Sequence, residues 1–231
     1  MSKSSIRYAL REITLIVLGI LIAFAINNWN EQRQYEKHER LLLNEIHSSL
    51  IRYRELIDNF YTPRLELKET SIAKLTNLAG EGARIDEAEF VELIRRSRID
   101  FIFRFDTGAY DALKISGFDK LSNNALRANL IDMYDVRLPA YLIFITKVNE
   151  LSDQMIIPLM NDFLSEKLVL DENQEWSIQL GVIDENVLGN RSFLRVLRLE
   201  TLKAENQKSR LDTVIEFTDQ LALDIAAELE L

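Results

Sequence analysis

The chain has 231 residues with no cysteine, seven glycines and three prolines, and its 28 basic and 37 acidic side chains give a net charge of −9. The lack of cysteine excludes disulfides, thiolate catalysis and Cys-based zinc sites together. Three basic residues (Lys3, Arg7 and Arg11) fall within the first eleven positions, leaving 25 basic against 37 acidic groups and a net charge of −12 on the remainder, a body that repels a phosphate backbone and argues against nucleic-acid binding.

The first element is the apolar run Ile13–Ile26, ITLIVLGILIAFAI. As a helix its fourteen residues rise only about 21 Å, short of a hydrocarbon core of about 30 Å. The flanks extend it: Leu10 to Trp29 gives twenty residues, with Arg11 able to snorkel toward one interface and Trp29 suited to the other. The basic end predicts an uncleaved single-pass anchor in a bacterial inner membrane, with the N-terminus cytoplasmic and the C-terminal part periplasmic. Competing readings are a cleaved signal peptide, given Ala23-Phe24-Ala25, and a buried core helix. The expected organisation is a tail and anchor over 1–30, then one extracytoplasmic helical domain over 31–231. The candidate membrane-interface residues are Arg7 and Arg11 at the inner boundary and Asn27, Asn28, Trp29 and Asn30 at the outer one. The asparagines either anchor depth passively or hydrogen-bond across an oligomer.

Beyond the anchor the pattern is helical. Leu43, Ile46, Leu50, Tyr53, Ile57 and Phe60 follow a strict 3-4 spacing that lines one seam of a bundle or coiled-coil helix. Pro63, with Thr62 as a candidate N-cap, either starts a second segment or kinks the first. Leu65, Ile72, Leu75 and Leu78 carry the seam on to Gly80-Glu81-Gly82. A shorter helix is predicted over Asp86–Arg98, followed by an aromatic stretch at 98–105 that reads as an extended piece or a plug. Asp106 or Thr107 caps a helix that Gly117 ends, and Leu121–Tyr134 forms another. Phe144, Val148, Leu151, Met155, Leu159 and Phe163 predict a helix over 139–168, and residues 171–189 read as a connector. Asn190 caps a last helix whose seam runs from Leu194 and Leu197 through Thr201 and Lys208 to Ile225 and Leu229. Its polar middle is read as facing solvent, the alternative being an interruption that sets register or oligomeric state. The fold class is therefore all-α: an N-terminal transmembrane helix continuing into an antiparallel bundle of long helices near 31–78, 139–168 and 190–229, with short accessory helices.

Chemical motifs are sparse. His38 and His47 are nine residues apart, about 900° around one helix, so they face opposite ways. A ferritin-like site wants Glu three residues before His, where Tyr35 and Asn44 stand. No P-loop or Gly-x-Ser-x-Gly occurs, and Gly80-x-Gly82 lacks the third glycine of a dinucleotide fingerprint. No catalytic, cofactor or metal site is expected.

Two segments resemble a known family. Glu12–Ala23, running into Ile26-Asn27-Asn28-Trp29-Asn30-Glu31, is similar to the opening of an uncharacterised bacterial family of single-span membrane proteins. Tyr110–Gly117, which contains Leu113, Lys114, Ser116 and Gly117, resembles that family's central LKSSG-like motif together with Asn123–Tyr134. Ile115 replaces the usual Ser, and Asp135 replaces a second aromatic. The resemblance implies a membrane-anchored helical protein and brings no activity or ligand. The leading expectation is a non-enzymatic structural or protein-interaction module, partnered by the lipid bilayer and by a second copy or an unidentified membrane protein. The alternative is an anchored ligand-sensing domain with a separate signalling partner. A ligand pocket near Phe101–Tyr110 would favour sensing, and an exposed apolar stripe on the last helix would favour assembly.

Overall fold

The computed structural model describes residues 3–118, 121–170, 174–183 and 185–230, with side chains from Glu12 onward. The architecture is all-α with one small antiparallel hairpin. Helix α1 (Lys3–Leu56) runs for 54 residues without a break, about 81 Å. From Ile13 to Trp29 its large apolar side chains are exposed, and from Leu42 onward its seam is buried in the bundle.

A π turn over Ile57–Tyr61 joins α1 to α2 (Thr62–Glu81), so Pro63 falls in the first turn of the second segment, while Thr62 is itself helical and is not its N-cap. The proline ring would press on the carbonyl four residues back in a regular helix. The wider turn relieves that clash, and the Thr62 amide donates to Ile57 O instead. The same device recurs before Pro139, where the π segment Asp132–Arg137 joins α5 (Asn124–Ile131) to α6 (Leu138–Met160), and the Leu138 amide donates to Met133 O.

Each π turn inserts one residue, and the first corrects the predicted seam. Leu43, Ile46, Leu50, Tyr53 and Ile57 are buried, but Phe60 is 42% exposed and Tyr61 takes the core position. The buried series then continues through Leu65, Lys68, Ile72 and Leu75. Deleting Phe60 should remove the extra residue and bring Pro63 back against a normal helical carbonyl, costing about 3 kcal/mol. Adding Pro63→Ala should recover most of that loss, as read by urea unfolding followed by circular dichroism. Deleting Ser48, where no π turn can absorb the shift, should abolish cooperative unfolding.

Short helices α3 (Glu87–Ser97) and α4 (Gly108–Ser116) pack on this scaffold. Asp86 caps α3 through the Ala88 and Glu89 amides. Gly82 closes α2 in the left-handed conformation at φ 61°, where a side chain would be strained. Between α3 and α4, Phe101 and Phe103 are buried while Ile102 and Arg104 are exposed, so the aromatic stretch is a plug. Helix α7 (Arg191–Leu229) returns antiparallel to α1–α2 and to α6. Asn190 Oδ1 accepts from the Ser192 and Phe193 amides at 2.8 and 3.1 Å. Asn190→Ala should cost about 1 kcal/mol of stability in the same urea titration.

Residues 164–182 depart from the predicted helix and connector. They form β1 (Leu164–Leu170) and β2 (Trp176–Val182), paired with Leu168 opposite Ile178 and Leu170 opposite Trp176. Glu87 Oε1 ties the hairpin to α3 by accepting from the Val182 amide at 2.9 Å and from Lys167 Nζ at 2.7 Å. Gly181 makes that approach possible, because a Cβ there would collide with Glu87 Oε1.

The core falls into three clusters along the bundle. The first joins Leu43, Ile46 and Leu50 to Leu130, Leu221 and Ile225. The middle one gathers Tyr53, Ile57, Tyr61, Phe103, Tyr141 and Val214. The far one unites Leu75, Phe90, Ile156, Phe163 and Phe193. On α6 the buried face is Tyr141, Ile145, Ser152 and Ile156, while Leu151 and Met155 of the predicted seam are about half exposed.

Candidate functional site

The residues singled out by sequence occupy three separate places. Arg7 and Arg11 lie in the first turns of α1, and their side chains fall outside the described residues. Asn27, Asn28, Trp29 and Asn30 are exposed on α1. Asn27 Nδ2 donates to Glu31 Oε1 at 2.8 Å, a bond within the helix. The Arg33 guanidinium lies 5.6 Å above the Trp29 ring.

The central motif closes a helix end. Leu113 is buried, Ser116 Oγ donates to Leu113 O at 2.8 Å, and Gly117 ends α4 at φ 100°. Lys114 Nζ donates to both Asp135 oxygens at 2.9 Å. Tyr110 stacks on Tyr134 with ring centroids 4.4 Å apart and planes 11° apart. The motif and the helix after it are therefore one packing unit, in which Asp135 serves as the partner of Lys114. His38 is exposed and His47 half-buried.

The most unusual chemistry lies where sequence reading expected solvent. Between the middle and far clusters the interior turns polar: Lys68, Lys203, Gln207 and Glu200 are all at most 2% exposed. The Lys68 ammonium lies 2.9 Å from Glu200 Oε2 and 3.3 Å from Asp100 Oδ1. Lys203 Nζ donates to Asp100 Oδ2 at 2.5 Å and to Asp153 Oδ1 at 3.4 Å. Gln207 Nε2 donates to Asp100 Oδ1 and Asn149 Oδ1 at 3.0 and 3.1 Å. Arg98 completes the ring, 3.3 Å from Asp153 and 3.6 Å from Glu200.

Three cations thus face three carboxylates, and the cluster is neutral. Both Glu200 oxygens sit beside cations without hydrogen-bond alignment, so their hold is mainly Coulombic. Burial pushes the Asp100 carboxyl up, but Lys68, Lys203 and Gln207 outweigh it and hold it below its ordinary value. Because each charge is satisfied only when α2, α6, α7 and the segment at 98–100 meet in one register, the cluster can act as an alignment pin. On α7 the predicted seam residue Lys208 is exposed and Thr201 half-buried, in line with the solvent-facing reading, while the buried charges and amide at Glu200, Lys203 and Gln207 each lie one position before that seam. The one sequence signal is Lys68 itself, which falls on the apolar series Tyr61, Leu65, Ile72 and Leu75.

These features define an all-α protein in which, among the described residues, one helix is long and apolar enough to cross a membrane. The chain belongs to a family of unknown function, DUF6090, whose model matches residues 12–159. The matched range contains both segments on which the resemblance rested. No curated protein and no solved structure matches the chain.

Proposed function

We propose that this protein is a membrane-tethered, non-enzymatic helical module that binds another protein surface outside the cytoplasm. The observation that carries this reading is the continuity of α1. One unbroken helix has exposed apolar side chains from Ile13 to Trp29 and core side chains from Leu42 onward, so the bundle stands rigidly on its anchor. The basic residues before Glu12 favour a cytoplasmic N-terminus and, with one span, an outer bundle. The test is alkaline carbonate extraction of bacterial membranes, followed by protease added to spheroplasts. The chain should stay in the membrane pellet and its bundle should be digested from outside. Release into the carbonate supernatant would overturn the anchor, and protection of the bundle would overturn the orientation.

The hairpin supplies an interaction surface at the far end of the bundle. Leu168, Leu170, Trp176, Ile178 and Leu180 share one face and are 42–68% exposed, a density of apolar side chains that marks interaction sites. A photo-crosslinker at Ile178 should capture a protein, whether a second copy or another chain, and one at Glu205 should not. A second reading, ligand sensing with a separate signalling partner, is favoured by a groove between α6 and α7.

A further inference from the structure

The outer seam between α6 and α7 opens into a groove of about 450 Å³, within the usual range for small-ligand sites. Leu138, Tyr141 and Val214 form a buried floor. Phe144 and Phe217 form the walls, and each carries a guanidinium: Arg210 lies 4.2 Å above the Phe144 ring, and Arg137 lies 4.0 Å above Phe217. Stacking holds a planar cation by its face, so the N–H edge of a guanidinium without an ion-pair partner stays open to an oxyanion.

The two arginines are not equivalent. Arg137 is paired with Asp132, whereas Arg210 forms no ion pair among the described residues. The Arg210 guanidinium therefore stands beside the apolar floor with no carboxylate at ion-pair distance among the described residues. One free cation balances one negative charge, and the acidic body disfavours a ligand carrying more. Arg137 stands at the end of the π segment before Pro139, and such insertions recur at functional sites.

We propose that this groove binds a small amphipathic monocarboxylate, its apolar body lying between Phe144 and Phe217 and its carboxylate held by Arg210. The site lies within the bundle, so it stands apart from the anchoring reading: a bundle that failed the membrane test would bind the same ligand. The probe is 4-phenylbutyrate, titrated calorimetrically into the full chain in zwitterionic nanodiscs, with empty nanodiscs as the baseline. Saturable one-to-one heat is expected above that baseline. Binding should weaken about tenfold or more for 4-phenylbutanol, which keeps the body and lacks the charge, and likewise in Arg210→Gln. Ala140→Phe, at an exposed lining position, fills the groove without touching either charge and should abolish the heat. Circular dichroism melts superimposable on the parent's identify each variant as folded. If Arg210→Gln does not fold, Ala140→Phe and the alcohol decide the matter. Absence of saturable heat, equal binding of the alcohol, or binding unchanged in a folded variant would each overturn the proposal.

Discussion

Lys68→Met should lower the unfolding free energy by about 3–5 kcal/mol, the cost of stranding a buried charge. The substitution keeps the volume of the aliphatic stem and removes only the ammonium. Glu200, 1% exposed, then retains only Arg98 at 3.6 Å. Asp100 also loses a partner but keeps Lys203 and Gln207, so the penalty concentrates on Glu200. Removing that charge as well, in Lys68→Met/Glu200→Leu, should return most of the loss, because a buried pair replaced by apolar side chains of similar volume is often neutral or stabilising. Urea titration of the detergent-solubilised chain measures the parent and both variants, with urea chosen because it is uncharged. A Lys68→Met penalty below about 1 kcal/mol would place the cluster among solvent-screened pairs and remove its role in alignment.

The same cluster sets an acid sensitivity. The folded state holds Asp100 below its ordinary 3.8, so its contribution is complete above about pH 5 and is lost as pH falls through 3.8 toward the folded value. Asp100→Asn should flatten stability against pH in that window.

The parts of the fold that sequence revealed are those governed by local periodicity. The Asn190 and Asp86 caps, the Gly82 and Gly117 stops and most of the α1 seam all express interactions within four residues along the chain. The hairpin was hidden because no Asn-Gly or Asp-Gly turn marks it and α6 feeds straight toward it. Its signal was the alternation Trp176, Ile178, Leu180, a period of two rather than 3.6. The buried charges were hidden for a different reason. Lys203, Glu200 and Asp100 look like solvent residues until α2, α6 and α7 are brought side by side, and no local rule contains that information. The α6–α7 groove shares this origin, since Arg137 and Arg210 are far apart in sequence and meet only through antiparallel packing. No stripe favouring assembly runs along α7, where exposed Leu194, Leu202 and Leu223 are too widely spaced to touch.

Ile57→Asp should unfold the bundle outright, and Leu50→Asp in the same chain should leave no cooperative transition. Ile57 is fully buried among Tyr53, Tyr61, Leu211 and Val214. Losing its side chain alone costs about 2–5 kcal/mol, and a carboxylate in its place has no cation within that cluster. Arg54, the nearest basic residue in sequence, is already committed to Asp58 and Asp219 at the surface. Burying or protonating the new carboxylate adds several kcal/mol, which together approach a total stability of about 5–15 kcal/mol. The informative contrast lies one turn on, where the π insertion decides which neighbour faces inward. Phe60→Asp removes a ring that rests on Arg64 at 4.2 Å in solvent and should cost about 1 kcal/mol or less. Tyr61→Asp removes a ring only 4% exposed and packed against Phe101 and Phe103, and should be nearly as damaging as Ile57→Asp. Urea titrations of the two single variants rank them directly. If Phe60→Asp proves the damaging member and Tyr61→Asp the silent one, the strict 3-4 seam holds and the π turn does not form.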